Sequence, residues 1–219
     1  MSQEIRSIPF INPATEEQFG EVVMSTPDEI TLAHKEMRQA FMIWRRKPLK
    51  ERIRILRQFQ EVIIDAMDEI TETINKDTGK SRQDGWIEVN MSVDRLHQYY
   101  KLAPQWLARR RVPPGLYPFK RYYTEPHPFG VVAVIGPWNY PFDLCVPPMC
   151  SALLAGNTVL LKPSEVTPAV GVLLERLIQR VPELSPFVRV LHGDGSVARS
   201  HGGLAARPGF PHRFYGHRT

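Results

Sequence analysis

The sequence has only two cysteines in 219 residues, no run of 18 apolar positions, and neither a GxGxxG nor a GxxxxGK[ST] glycine loop. Cys145 and Cys150 lie five apart in an apolar segment with no histidine beside them. That spacing fits neither a disulfide framework nor a zinc site, so both read as buried free thiols and no metal is expected. Lacking a long apolar run excludes a membrane-spanning helix. The start, MSQEIRSIPF, also lacks the basic segment and apolar core of an export leader, which makes the cytoplasm the expected compartment, without a membrane partner. Acidic residues are absent after position 196, whereas Arg199, Arg207, Arg213 and Arg218 follow it. Most of the net charge of +5 therefore comes from the last residues, and residues 1–196 hold 24 basic and 23 acidic side chains. A nearly neutral body does not predict a nucleic-acid partner. Arg45-Arg46-Lys47 and Arg109-Arg110-Arg111 read as helix ends or solvated faces.

What is present divides into a helical half and an alternating half. Thr26-Pro27-Asp28-Glu29 is a cap-like entry to a helix that continues to about Arg46. A second helix is predicted over 49–76, where Ile53, Leu56, Phe59, Ile63, Met67, Ile70 and Ile74 recur every third or fourth position and Asp77-Thr78-Gly79 supplies the stop. Trp86, Val89, Val93, Leu96, Tyr100 and Ala103 repeat the pattern until Pro104. After Pro113-Pro114-Gly115 the stretch YPFKRYYTEPHPFG mixes aromatics with prolines, as an irregular or edge β segment does. Short apolar runs at 131–135, 158–161 and 187–191 then alternate with helical stretches at 142–155 and 167–180. Strand, helix, strand, helix, strand is the pattern of a parallel α/β sheet.

Ligands on such sheets bind beyond the carboxyl ends of the strands, and the unusual motifs fall there. VIGPWNYP follows the first strand and LLKPSE closes the second. Pro137 and Pro141 restrict the backbone on both sides of Trp138, Asn139 and Tyr140, which holds the Asn139 carboxamide still.

The ordered set VVAVIGPWNYP, ALLAGNTVLLKPSEVTP and VLHGDG resembles the cofactor-binding domain of the NAD(P)-dependent aldehyde dehydrogenase family, with INPATEE and the early helices also fitting over residues 10–196. The resemblance implies a fold of class α/β: a helical N-terminal region, then part of a Rossmann-like parallel sheet, with a short β arm. Its expected organisation is 1–112 as the N-terminal helical part of the cofactor domain, 113–129 as an oligomerisation-type β arm, 130–196 as the partial NAD(P)-binding sheet, and 197–219 as an aberrant, disordered tail. It further implies that Asn139 stabilises the oxyanion formed when a cysteine thiolate attacks an aldehyde. Ile135, Gly136, Pro137, Trp138, Lys162, Ser164, Glu165 and Gly193 match cofactor contacts, with Lys162 and Glu165 at the adenosine ribose. A 2′-phosphate would meet Glu165 with like charge, so NAD is the expected cofactor and NADP the alternative.

Departures from the family set limits on that expectation. Its nucleophilic cysteine and general-base glutamate belong to a catalytic half with no counterpart here, and neither Cys145 nor Cys150 stands at the nucleophile's motif. The chain alone is expected to be inactive, with an aldehyde substrate only in a full-length enzyme; a full-length member also oligomerises. Written in codons ending in C or G and read one nucleotide later, His212–Thr219 becomes Thr-Gly-Ser-Thr-Ala-Thr-Gly, the type of loop the family has next. A frame shift after about Ser196 is therefore expected. The other reading is a non-catalytic nucleotide-binding or interaction protein that pairs with a full-length homologue.

Overall fold

The computed structural model describes residues 6–113, 115–116 and 119–197. The chain opens with a hairpin in which β1 (Ser7–Ile11) pairs antiparallel with β2 (Gln18–Val23), the register shifting between Phe10 and Ile11. Periodicity did not reveal these strands, because they are short and their apolar residues do not keep to one face: Phe10 is buried while Ile11, Phe19 and Val23 are exposed. Helix α1 (Pro27–Trp44) begins at a reciprocal cap: the Thr26 hydroxyl accepts from Glu29 N, and the Glu29 carboxylate accepts from Thr26 N.

The helix predicted over 49–76 is two helices, α2 (Leu49–Asp65) and α3 (Met67–Thr78), joined at Ala66 with φ -98° and ψ 13°. Ile55, Leu56, Phe59 and Ile63 before the joint and Ile70 and Ile74 after it enter the same buried cluster, so the apolar stripe crosses the break without marking it. Gly79 closes α3 in the left-handed region, φ 72°. Helix α4 (Arg82–Trp106) runs past Pro104, which sits in its last turn, so the helix ends within three residues of it. Beyond it, β3 (Arg110–Val112) and β4 (Tyr122–Thr124) form an exposed two-stranded ribbon, the first strand lying ahead of residue 113. The Arg109 guanidinium lies 3.9 Å from the Tyr123 ring centroid, so this arginine packs on the ribbon and ends no helix.

The remainder is β5 (Val131–Ile135), α5 (Val146–Leu154), β6 (Thr158–Lys162), α6 (Pro168–Gln179), a 3-10 turn (Ser185–Phe187) and β7 (Val188–Val190). The strands are parallel in the order β5-β6-β7. All five residues of β6 are buried, which is why TVLLK shows no alternation. Helix α5 starts later than the sequence predicted, because residues 141–145 form a turn. Trp44 joins the halves: its indole Nε1 donates to Leu153 O at 2.9 Å, and its ring meets Phe187 at 4.5 Å. Val197 is buried with Ile30, Ala33, Met37, Leu160 and Leu191, so it belongs to the fold and not to a tail. The rest of the predicted tail, 198–219, lies outside the described residues. Among the described residues no helix is long and apolar enough to cross a membrane.

Candidate active site

Strands β5 and β6 end side by side. Ile135 is the register partner of Lys162, and Gly136 N donates to Lys162 O at 2.9 Å. Two parallel strands that stop together send their following loops out of the same edge of the sheet. Gly136 is buried against Cys145, and a Cβ there would overlap the Cys145 sulfur, so the residue type is set by packing. Beyond it the chain emerges: Pro137 and Asn139 are exposed, as are Ile135 (41%), Trp138 (60%) and Tyr140 (47%). These apolar side chains surround Asn139 in sequence and stand open to solvent.

The Asn139 loop is held by charges that the sequence reading missed. Lys80 Nζ donates to Asn139 O at 2.5 Å and to Glu88 Oε2 at 2.9 Å, and it lies 4.0 Å from the centroid of the Tyr140 ring. The Glu88 side chain is fully buried, and its other oxygen accepts from Phe142 N at 2.9 Å and Asp143 N at 3.2 Å. Asp143 in turn accepts from Ser92 Oγ at 2.8 Å and pairs with Arg95 at 3.2 Å. One signal was available in the sequence: Gly85, Glu88, Val89, Ser92 and Leu96 form the buried stripe of α4, and an acid inside such a stripe needs a partner.

At the second exit Lys162 is 2% exposed, and its ammonium donates to Pro163 O at 3.0 Å and Glu165 Oε2 at 2.7 Å. Desolvation raises the Glu165 pKa, but the bond and charge of Lys162 outweigh it and hold the carboxyl below its ordinary value. An ionised, partly exposed carboxylate results. Ser164, unlike Glu165, is buried, and its hydroxyl accepts from Val166 N at 3.1 Å, closing the turn. Helix α6 is capped from outside itself, since Thr167 makes no side-chain cap bond and Asp77 Oδ2 accepts from Val170 N at 2.9 Å. Burial pushes the Asp77 carboxyl up to about 7, against the backbone N–H bonds from Val170 and Ala169 that lower it.

The third strand leads to Gly193. Ser25 N donates to His192 O at 2.7 Å, and His192 N donates to Ser25 Oγ at 3.1 Å, so the segment after β2 ties this loop down. Gly193 packs against Val197, where a Cβ would overlap the valine side chain. The structure thus sets Ile135 and Gly136 beside Lys162, carries Pro137, Trp138 and Asn139 on the loop after β5 and Glu165 on the loop after β6, turns Ser164 inward, and places Gly193 after β7. Cys145 and Cys150 are buried, and desolvation raises both thiols, Cys145 to about 12. No group of three or more potential metal ligands occurs among the described residues.

The sequence matches the aldehyde dehydrogenase family over residues 1–201. It is 38% identical over 194 residues to 4,4'-diapolycopene aldehyde oxidase of a Methylomonas species, covering 87% of this chain and 37% of that protein. The fold is similar to lactaldehyde dehydrogenase from Escherichia coli, with TM-score 0.86, 26% identity, and coverage of 92% of this chain and 42% of the other. It is also similar to an NAD-dependent benzaldehyde dehydrogenase from Corynebacterium glutamicum, with TM-score 0.80, 26% identity, and coverage of 90% and 42%. The chain spans about two fifths of the length of these relatives.

Proposed function

The chain belongs to the aldehyde dehydrogenase family, and from that premise we propose that it holds NAD along the β5 and β6 exits while Asn139 faces the carbonyl oxygen of an aldehyde. The supporting observation is the Gly136 to Lys162 hydrogen bond, which brings the two loops to one edge of the sheet. The residues present fit the cofactor. Glu165, ionised and partly exposed, can accept from ribose hydroxyls, while Ile135 and Trp138 offer exposed apolar surface at the adjoining strand exit. NADP is the weaker candidate: its 2′-phosphate would be repelled by Glu165, and the Lys162 charge is already engaged by that carboxylate. NAD supplies the hydride acceptor for the oxidation when bound. Asn139 contributes an amide N–H that bonds the carbonyl oxygen more strongly as negative charge builds on it, which favours the transition state over the ground state.

The chain alone turns over no aldehyde in this proposal. Cys145 and Cys150 are buried with raised pKa values, the opposite of what a nucleophilic thiolate needs. A catalytic half encoded in another frame after about Ser196 would supply the nucleophile, and sequencing the gene across those codons tests that. A second reading, pairing with a full-length homologue without turnover, is favoured by Leu116 (92%), Phe119 (79%) and Phe129 (76%), apolar and exposed around the β3–β4 ribbon.

Calorimetric titration of the chain and its Glu165→Gln variant with NAD and NADP, alongside an aldehyde oxidation assay, tests the proposal. NAD should bind the parent chain without NADH appearing. Glu165→Gln should weaken NAD about 10- to 100-fold, matching the roughly 1.5–3 kcal/mol of a charged hydrogen bond. Equal NAD affinity for the two proteins would remove Glu165 from the ribose site, and no NAD binding would remove the cofactor reading.

A further inference from the structure

Lys80 touches neither β5 nor β6 as a sheet partner, yet it meets the residue on which the proposed chemistry rests. Its ammonium donates to the Asn139 carbonyl at 2.5 Å, pairs with Glu88 at 2.9 Å, and lies under the Tyr140 ring at 4.0 Å. Glu88 continues the connection, accepting from Phe142 N and Asp143 N. Two side chains from one helix and the turn before it therefore engage Asn139, Tyr140, Phe142 and Asp143.

Pro137 and Pro141 fix two φ angles but, lacking an N–H, neither donates a main-chain bond that sets where the loop sits above the sheet. Lys80 does, because a charge-assisted bond to the Asn139 carbonyl sets the position and tilt of the peptide from which the carboxamide projects. Glu88 explains why the ammonium stays there: a fully buried carboxylate needs a cation, and among the described residues Lys80 pairs with it at 2.9 Å. Three residues before Lys80, across the left-handed Gly79, Asp77 caps α6 through Val170 N. A single turn, Asp77 to Lys80, thus binds the loop after β5 with one end and the helix after β6 with the other.

We propose that Lys80 is the positioning residue for the Asn139 carboxamide, with Glu88 as its anchor. The turn it belongs to fixes the spacing between the Asn139 loop and the helix that follows Glu165. The proposal rests on the functional reading of Asn139 but is measured independently of cofactor binding, so the two can fail separately.

The test is backbone order in the 15N-labelled full chain, read as NMR order parameters and residue-resolved amide exchange. Asn139 and Tyr140 should show the value of a rigid backbone, about 0.85, falling below about 0.6 in Lys80→Met, while β5 and β6 keep theirs. Because Lys80→Met leaves Glu88 buried without a cation, the double variant Lys80→Met/Glu88→Gln guards against general unfolding. There the Phe142 and Asp143 amides should remain protected, since the Gln oxygen still accepts, while Asn139 loses order. Lys80→Arg keeps a cationic donor and should restore at least half of the lost order. Asn139 remaining rigid in both Met variants, order lost equally across β5 and β6 in the double variant, or an Arg variant as mobile as Lys80→Met would each overturn the proposal.

Discussion

Asp77 carries the clearest pH signature of any single residue. Its carboxyl rises from an ordinary 3.8 to about 7, chiefly because burial disfavours the charged form. Between those values the folded chain binds the proton more tightly than the unfolded chain. This group's effect is therefore most favourable below about pH 4, declines as pH rises through about 7, and is level above. The shift corresponds to roughly 4 kcal/mol. Asp77→Asn retains an oxygen for Val170 N and loses the titration, so urea unfolding from about pH 4 to about pH 7.5 should lose this decline; an unchanged slope would contradict the assignment. Gly136 gives a second test. Gly136→Ala should cost about 1–3 kcal/mol by overpacking against Cys145. Adding Cys145→Ala should recover part of that loss, a coupling of at least about 0.5 kcal/mol in a double-mutant cycle. In an enzyme that joins these strand exits to a catalytic half, Asn139→Ala should lower kcat about 10²- to 10³-fold, and unchanged turnover would discard the oxyanion role.

Among the elements, helices with strong apolar stripes were readable and joints between them were not. Period-based reading found α1, α2, α4 and α6, whose buried residues recur at helical spacing. It merged α2 with α3 because the dihedral change at Ala66 leaves the stripe intact. It also passed over the β1–β2 hairpin, whose strands are joined by main-chain pairing and by the Phe10–Phe19 contact at 5.7 Å while apolar residues fall on both faces. The site divides along the same line. GPWNYP and KPSE are local motifs, whereas Lys80, Glu88 and Asp77 act across 54 to 93 residues of sequence and only the fold brings them to the loops. Asn157 links elements in a similar way, its Oδ1 accepting from Gly130 N at 3.0 Å and its Nδ2 donating to Ala152 O at 3.0 Å. Asn157→Ala should destabilise the chain by about 1–3 kcal/mol in denaturant unfolding, since it leaves Gly130 N unpaired, whereas Ala152 O keeps the bond from the Asn157 main-chain N–H.

At the scale of the whole molecule, the division into early helices and a later parallel sheet was readable, because composition and periodicity change where the chain changes architecture. Less readable was the way α1 lies against the sheet, which depends on contacts such as Thr158 Oγ1 to Met37 O at 2.9 Å and Trp44 to Leu153 O. Surface apolar groups give a prediction at this scale. Trp138, Phe129, Leu116 and Phe119 are each at least 60% exposed, so sedimentation velocity should detect self-association that grows with protein concentration. A single species independent of concentration would oppose it.

The ladder between β5 and β6 begins at Val131 with Thr158 and reaches Ile135 with Lys162 without a bulge. Side chains alternate faces along it, so adding or deleting one amino acid within β6 would exchange the faces of Leu161 and Lys162. The ammonium would then rotate away from Glu165 and a leucine would take its place. Length changes should accordingly be tolerated in the connection between β3 and β4, where the described residues are exposed, and rejected along this seam.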